Sequence, residues 1–163
     1  MNLYNQIIAI NPNVKSIGLA KMSNHNGRRN ISYEVRHDVY DCSPFVGAPG
    51  LAVLGLQSKH LNQGFVQNNN ARREVGRMLV AKALEAGWEV STISLKDWQK
   101  GVGYERKVMP STNITGLMLS YAEKILKEPV QSGMMDAAAA ICMLDIFCGE
   151  HSAGVYGVDD AAY

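Results

Sequence analysis

The chain reads as an α/β protein, a mixed β-sheet with helices on both faces. Three observations lead there. Apolar runs at 6–10 and 14–20 flank the turn Asn11-Pro12-Asn13, which is the pattern of a β-hairpin. Residues 51–57 form a continuous apolar run ending in Gln57, as expected of a buried strand with parallel neighbours. Beyond it, helical and strand-like stretches alternate, so the order is hairpin, β, β, α, β, α, α.

Each element has its own justification. In the hairpin, residues 2–22, Asn11 and Asn13 tolerate left-handed backbone, and Pro12 fixes φ and donates no hydrogen bond. Residues 24–30 are a polar, Gly-containing loop, and 31–40 alternate apolar and polar residues as a half-exposed strand does. Residues 42–50, with Pro44, Gly47, Pro49 and Gly50, form a loop. A polar stretch at 58–70 leads to a helix over 71–86, capped by Asn69 or Asn70. That helix places Val75, Met78, Leu79, Lys82 and Ala83 at helical spacing, and Gly87 stops it. Residues 88–94 are a further strand, and Ser94 or Asp97 starts a helical turn over 97–100, ended by Gly101. A loop at 102–113 precedes an amphipathic helix over 114–127, which Pro129 breaks. Residues 134–147 form an apolar helix interrupted by Asp136 and Asp145, and 149–163 read as a flexible tail.

Length and composition set the bounds. At 163 residues, 47% hydrophobic and 19% charged, the chain suits one domain with a substantial core. We place that domain at 1–148 and the tail at 149–163. No apolar run is long enough to span a bilayer, and no charged segment followed by an apolar one opens the chain. The expectation is a soluble, cytoplasmic protein. Cys42, Cys142 and Cys148 have no metal-type spacing, and the last two sit in an apolar run as buried thiols. His25, His37, His60 and His151 are scattered. A formal net charge of +1 means that any nucleic-acid binding rests on local patches.

Four places carry a resemblance. Ala9-Ile10-Asn11-Pro12-Asn13, followed by Ile17-Gly18, resembles the first motif of the RuvC-like Holliday-junction resolvases of the RNase H-like superfamily, in which Asp-Pro-Gly stands where Asn11-Pro12-Asn13 stands here. Val53-Leu54-Gly55-Leu56-Gln57 resembles the family's fourth strand, with Gly55, or Gln57 in a shifted register, at its Glu position. Trp98-Gln99-Lys100-Gly101 resembles the Trp-Lys-Gly turn of phage and bacterial members. Gly133-Met134-Met135-Asp136-Ala137-Ala138 resembles the final motif, with Asp136 on its Asp. The resemblance covers residues 6–148 and implies an RNase H-like fold and nuclease ancestry.

It also implies site residues. Cleavage by two Mg²⁺ ions needs several converging carboxylates. Asn11 and Asp136 fall on catalytic positions, and Asp136 alone is a carboxylate to hold a metal ion. Asp136 is equally accounted for as an acid at a helix N-terminus. Arg72, Arg73, Lys100, Arg106 and Lys107 are the candidate phosphate-binding residues. The favoured expectation is a binder of branched or double-stranded DNA, cleavage being lost or impaired. The alternatives are an active Mg²⁺-dependent Holliday-junction endonuclease in which Asn11 replaces an Asp, and a non-enzymatic module that binds or inhibits a host protein. The resemblance further implies a homodimer, for which the apolar face of the helix at 71–86 is the candidate surface.

Overall fold

The computed structural model describes residues 4–25, 28–56 and 66–150. Its sheet has five strands in the order β3-β2-β1-β4-β5. Strand β1 (Gln6–Pro12) lies at the centre, antiparallel to β2 (Ile17–His25) and parallel to β4 (Leu51–Leu56). Strand β3 (Arg28–Arg36) extends the antiparallel side, and β5 (Glu89–Ser94) the parallel side. The apolar run of β4 is thus explained, because the strand has parallel partners on both edges and both of its faces are covered.

The period of two sorts the sheet residues into two cores. Ile7, Ala9, Ala20, Met22, Val53 and Ile93 face α4 (Met135–Glu150), against which α3 (Asn113–Leu126) and α2 (Leu95–Gly101) pack. Ile8, Ile10, Ile17, Leu19, Ala52 and Leu54 face Val75, Leu79 and Ala83 of α1 (Val66–Glu85). Helix α4 is apolar on every side because the sheet lies on one side and α3 on another; residues 137–144 are all buried. Its Asp145 accepts a 2.6 Å hydrogen bond from the Tyr121 hydroxyl of α3. Each large side chain sealed in these cores contributes about 1.5–3 kcal/mol.

Some boundaries differ from expectation, for local reasons. Helix α1 opens at Val66, so Asn69 and Asn70 lie inside it rather than capping it. The low helix preference of Asn, a few tenths of a kcal/mol per residue, is easily outweighed by tertiary context. Strand β3 stops at Arg36. The following residues instead fold over the α1 side of the sheet, burying Val39, Cys42 and Phe45. Lys82 Nζ pins this loop by donating to the carbonyls of Tyr40 and Cys42, both at 2.8 Å. The Gln6 side chain donates to the carbonyls of Val46 and Ala48. Of the two proposed starts for α2, Ser94 is the cap, accepting from the Asp97 amide at 3.1 Å. Gly87 ends α1 at φ +83°, a backbone conformation that suits glycine. Helix α4 runs to Glu150, past the expected end of the domain at 148, and 151–163 lie outside the described residues.

The apolar face of α1, expected to pair two copies, is committed elsewhere. Val75, Leu79 and Ala83 are fully buried against the chain's own sheet. Cys42, Cys142 and Cys148 are buried thiols outside any disulfide. Among the described residues, no helix is long and apolar enough to cross a membrane.

Alkaline pH tests the packing of α3 on α4. Burial, and then the hydrogen bond to Asp145, push the Tyr121 phenol well above its ordinary value. Burial, and then the hydrogen bond to Glu89, push Tyr4 up to about 12, and burial pushes the Cys142 thiol up to about 12. In the unfolded chain phenols ionise near pH ~10 and thiols near ~8.5. The unfolded state therefore sheds these protons first. Stability is fully present below pH ~8.5 and declines as pH rises from there towards the folded-state values. Chemical denaturation between pH 8 and 11 is expected to show this decline, and Tyr121→Phe to make it shallower above pH ~10.

Candidate functional site

Asn11 sits at the carboxyl end of β1. It shares the α4-facing side with Ile7 and Ala9 and is half-buried. Directly across on β2 is Gly18. On the other edge, Leu54 of β4 pairs with Ile10, and Gly55 follows it. Neither in-sheet neighbour of Asn11 therefore carries a side chain. Open α/β sheets place ligands at the carboxyl ends of their parallel strands, and this rim is that place in the fold.

Helix α4 crosses this rim. A Cβ on Gly18 would lie 2.0 Å from the Asp136 carbonyl oxygen, so only glycine lets the helix start come down on β2. A Cβ on Gly55 would lie 3.0 Å from Met143 Cε. Two turns of α4 thus rest on the two glycines that flank Asn11, which sets Asp136 over Gly18 and Met143 over Gly55. Gln57, the other position considered on this strand, lies outside the described residues.

Asp136 stands in the first turn of α4 and is half-buried. Ser16, on the turn between β1 and β2, donates its hydroxyl to Asp136 Oδ2. In the same turn, Asn13 Oδ1 accepts from the Val14 amide at 2.8 Å and from Arg72 Nε at 3.1 Å. Arg72 is thereby held at the hairpin tip, two residues from Asn11. Arg73, next to Arg72 in sequence, and Lys15, two residues past Asn13, are exposed.

The other basic candidates lie past β5. Ser94 pairs with Leu56 at the carboxyl ends of β5 and β4, and α2 begins immediately after it. Trp98 is buried in the core and anchors α2, leaving Lys100 exposed. A Cβ on Gly101 would lie 2.5 Å from Ile146 Cδ1, so the end of α2 is pressed against α4. Arg106 and Lys107 are exposed on the following loop.

Pattern reading missed Ser16, and saw Asn13 only as a turn former. Ser16 lies 120 residues from Asp136 in sequence, so nothing local in the chain announces the pair. The available signal was a small polar residue between a turn and the glycine of β2.

The described residues at this rim do not fit a pair of divalent cations. Asp136 is the one carboxylate of the Asn11–Gly55–Asp136 group, and Ser16 already engages it. Asn11 offers a neutral amide, and the glycines offer nothing. Among the described residues, no three His, Cys, Asp or Glu side chains are grouped so as to hold a metal ion. Two-metal phosphoryl-transfer chemistry needs more negative charge than this.

No family model matches the sequence, and no curated protein matches it. Solved structures do. The chain is similar to Thermus thermophilus RuvC at 14% identity and a TM-score of 0.54, over 89% of this chain and 96% of that one. It is similar, at the same identity and TM-score, to T. thermophilus RuvC in complex with a Holliday junction substrate, over 92% of this chain and 97% of that one. The fold is therefore RuvC-like, within the RNase H-like α/β class.

The seat of α4 on β2 has a direct test. Gly18→Ala is expected to cost about 3 kcal/mol or more, because backbone on both sides must yield. Ser16→Ala is expected to cost about 1–2 kcal/mol by leaving a part-buried carboxylate oxygen without its donor. Urea denaturation of the two variants measures both.

Proposed function

We propose that this chain is a RuvC-like nucleic-acid-binding protein, related to the Holliday-junction resolvases, whose cleavage is lost or impaired. The observation that carries this reading is the rim itself. Asn11 lies between two glycines, Asp136 accepts from Ser16, and among the described residues no three acids, His or Cys are grouped to hold a metal ion. In this reading the rim stands in the place of a nuclease site and lacks the charge to hold its cations.

A structural neighbour is described in complex with a Holliday junction substrate, which makes branched DNA the first ligand to try. The basic side chains suit a phosphate backbone. Arg72 is fixed on the hairpin tip by Asn13. Lys15, Arg73, Lys100, Arg106 and Lys107 are exposed, and the ion pairs among the described residues involve Arg36 with Glu34 and Asp38. These five can meet phosphates without first breaking an internal salt bridge. A homodimer belongs to the same reading, since a four-way junction offers two symmetric strands. Its surface is not the buried face of α1.

Binding to a synthetic four-way junction tests the reading. Equal affinity in EDTA and in Mg²⁺, with the DNA left intact, is expected. Affinity should fall steeply with salt, and Arg73→Ala and Lys100→Ala should each lower the slope of log K against log salt by about one where the residue meets a phosphate. Efficient nicking in Mg²⁺ or Mn²⁺ would overturn the loss of cleavage. Retention that ignores salt, together with recovery of one abundant protein partner, would favour the interaction module instead.

A further inference from the structure

We propose that Met143 seals the Asn11 rim against a further cation ligand from β4, so that acids placed at Asn11 and Gly55 do not by themselves build a metal site. The inference rests on the reading above that the rim lacks its cations, and concerns which residue stands in the way of a metal ligand there.

The argument starts from the two flanking glycines. On β2, a Cβ at Gly18 would stand 2.0 Å from the Asp136 carbonyl oxygen, and backbone on both sides leaves no room for a ligand there. On β4, a Cβ at Gly55 would meet the end of Met143, 3.0 Å from Cε and 3.3 Å from Sδ. Met143 is fully buried. A flexible thioether gives way by a few tenths of an ångström to admit a methyl group. A Glu at 55 adds four more heavy atoms beyond that methyl, and the Met143 thioether lies beside where they begin. The same thioether fills the volume over β4 that a carboxylate would share.

The consequence differs from that of a single lost ligand. Asn11→Asp alone gives two carboxylates, one of them accepting from Ser16, which is short of what a pair of divalent cations requires. It also sets a negative charge where the proposal has a phosphate pass. The substitution therefore weakens binding in EDTA instead of restoring a metal centre.

Four proteins test this: the parent, Asn11→Asp, Asn11→Asp/Gly55→Glu, and the last with Met143→Ala added. Mn²⁺ binding is read by titration calorimetry and by the rise of Tm with Mn²⁺, and junction affinity is read in EDTA. The first three are expected to bind no Mn²⁺ or to bind it weakly. The triple variant is expected to bind it about tenfold or more tightly than the double. Asn11→Asp is expected to weaken junction binding in EDTA by about three- to tenfold. A double variant that binds Mn²⁺ as tightly as the triple, or a folded triple variant that binds none, overturns the proposal. A packing cycle keeps it falsifiable should the triple variant not fold. Gly55→Ala lowers Tm in the parent and does so less, or not at all, beside Met143→Ala; equal losses in both backgrounds overturn the seal. Parent protein that ignores junction DNA ends the nucleic-acid reading while leaving the Mn²⁺ comparison interpretable.

Discussion

The descent of α4 onto β2 at Gly18 is the contact on which the rest of this structure depends. A helix can approach a strand this closely only where one residue lacks a side chain, and Gly18 supplies that place beneath the Asp136 peptide. The contact fixes the start of α4 over the end of β1. From there the helix is carried across Gly55 to the end of α2, where Gly101 leaves room for its Ile146. The core on one side of the sheet and the geometry of the rim follow from a single seat. The Ser16–Asp136 hydrogen bond then locks that seat with the same carboxylate that a metal site would need.

Much of this was legible in the chain. Strand length, the Asn-Pro-Asn turn and the uninterrupted apolar run of β4 carry local information, and the hairpin, the parallel core strand and four helices all appeared where their patterns put them. Gly87 and Ser94 announced a helix end and a helix start through short-range backbone chemistry. Asn69 and Asn70 misled because capping preference is a small energy beside tertiary packing. The α1 face misled for another reason. Val75, Leu79 and Ala83 show that a surface is apolar, but not whether the chain's own sheet or a second copy covers it.

The rim divides along the same line. That Gly18 and Gly55 flank Asn11, with one helix passing over both, follows from strand order and from the path of α4. That Ser16 holds Asp136, that Asn13 holds Arg72 and that Met143 rests on Gly55 are facts of docking across long sequence separations. No periodicity encodes them. Side chains that decide what a site can hold are often of this kind, since they act on it from elements remote in sequence.

The burial of the first hairpin beneath α4 ties segments far apart in sequence together in time as well as in space. β1 and β2 pair locally and can zip early, yet the face they present to α4 stays bare until residues near 150 are available. During synthesis β1 and β2 therefore wait, half-assembled, until α4 has left the ribosome. A product truncated ahead of α4 would keep its strands while exposing an apolar sheet face, and quality-control machinery would meet it as aggregation-prone.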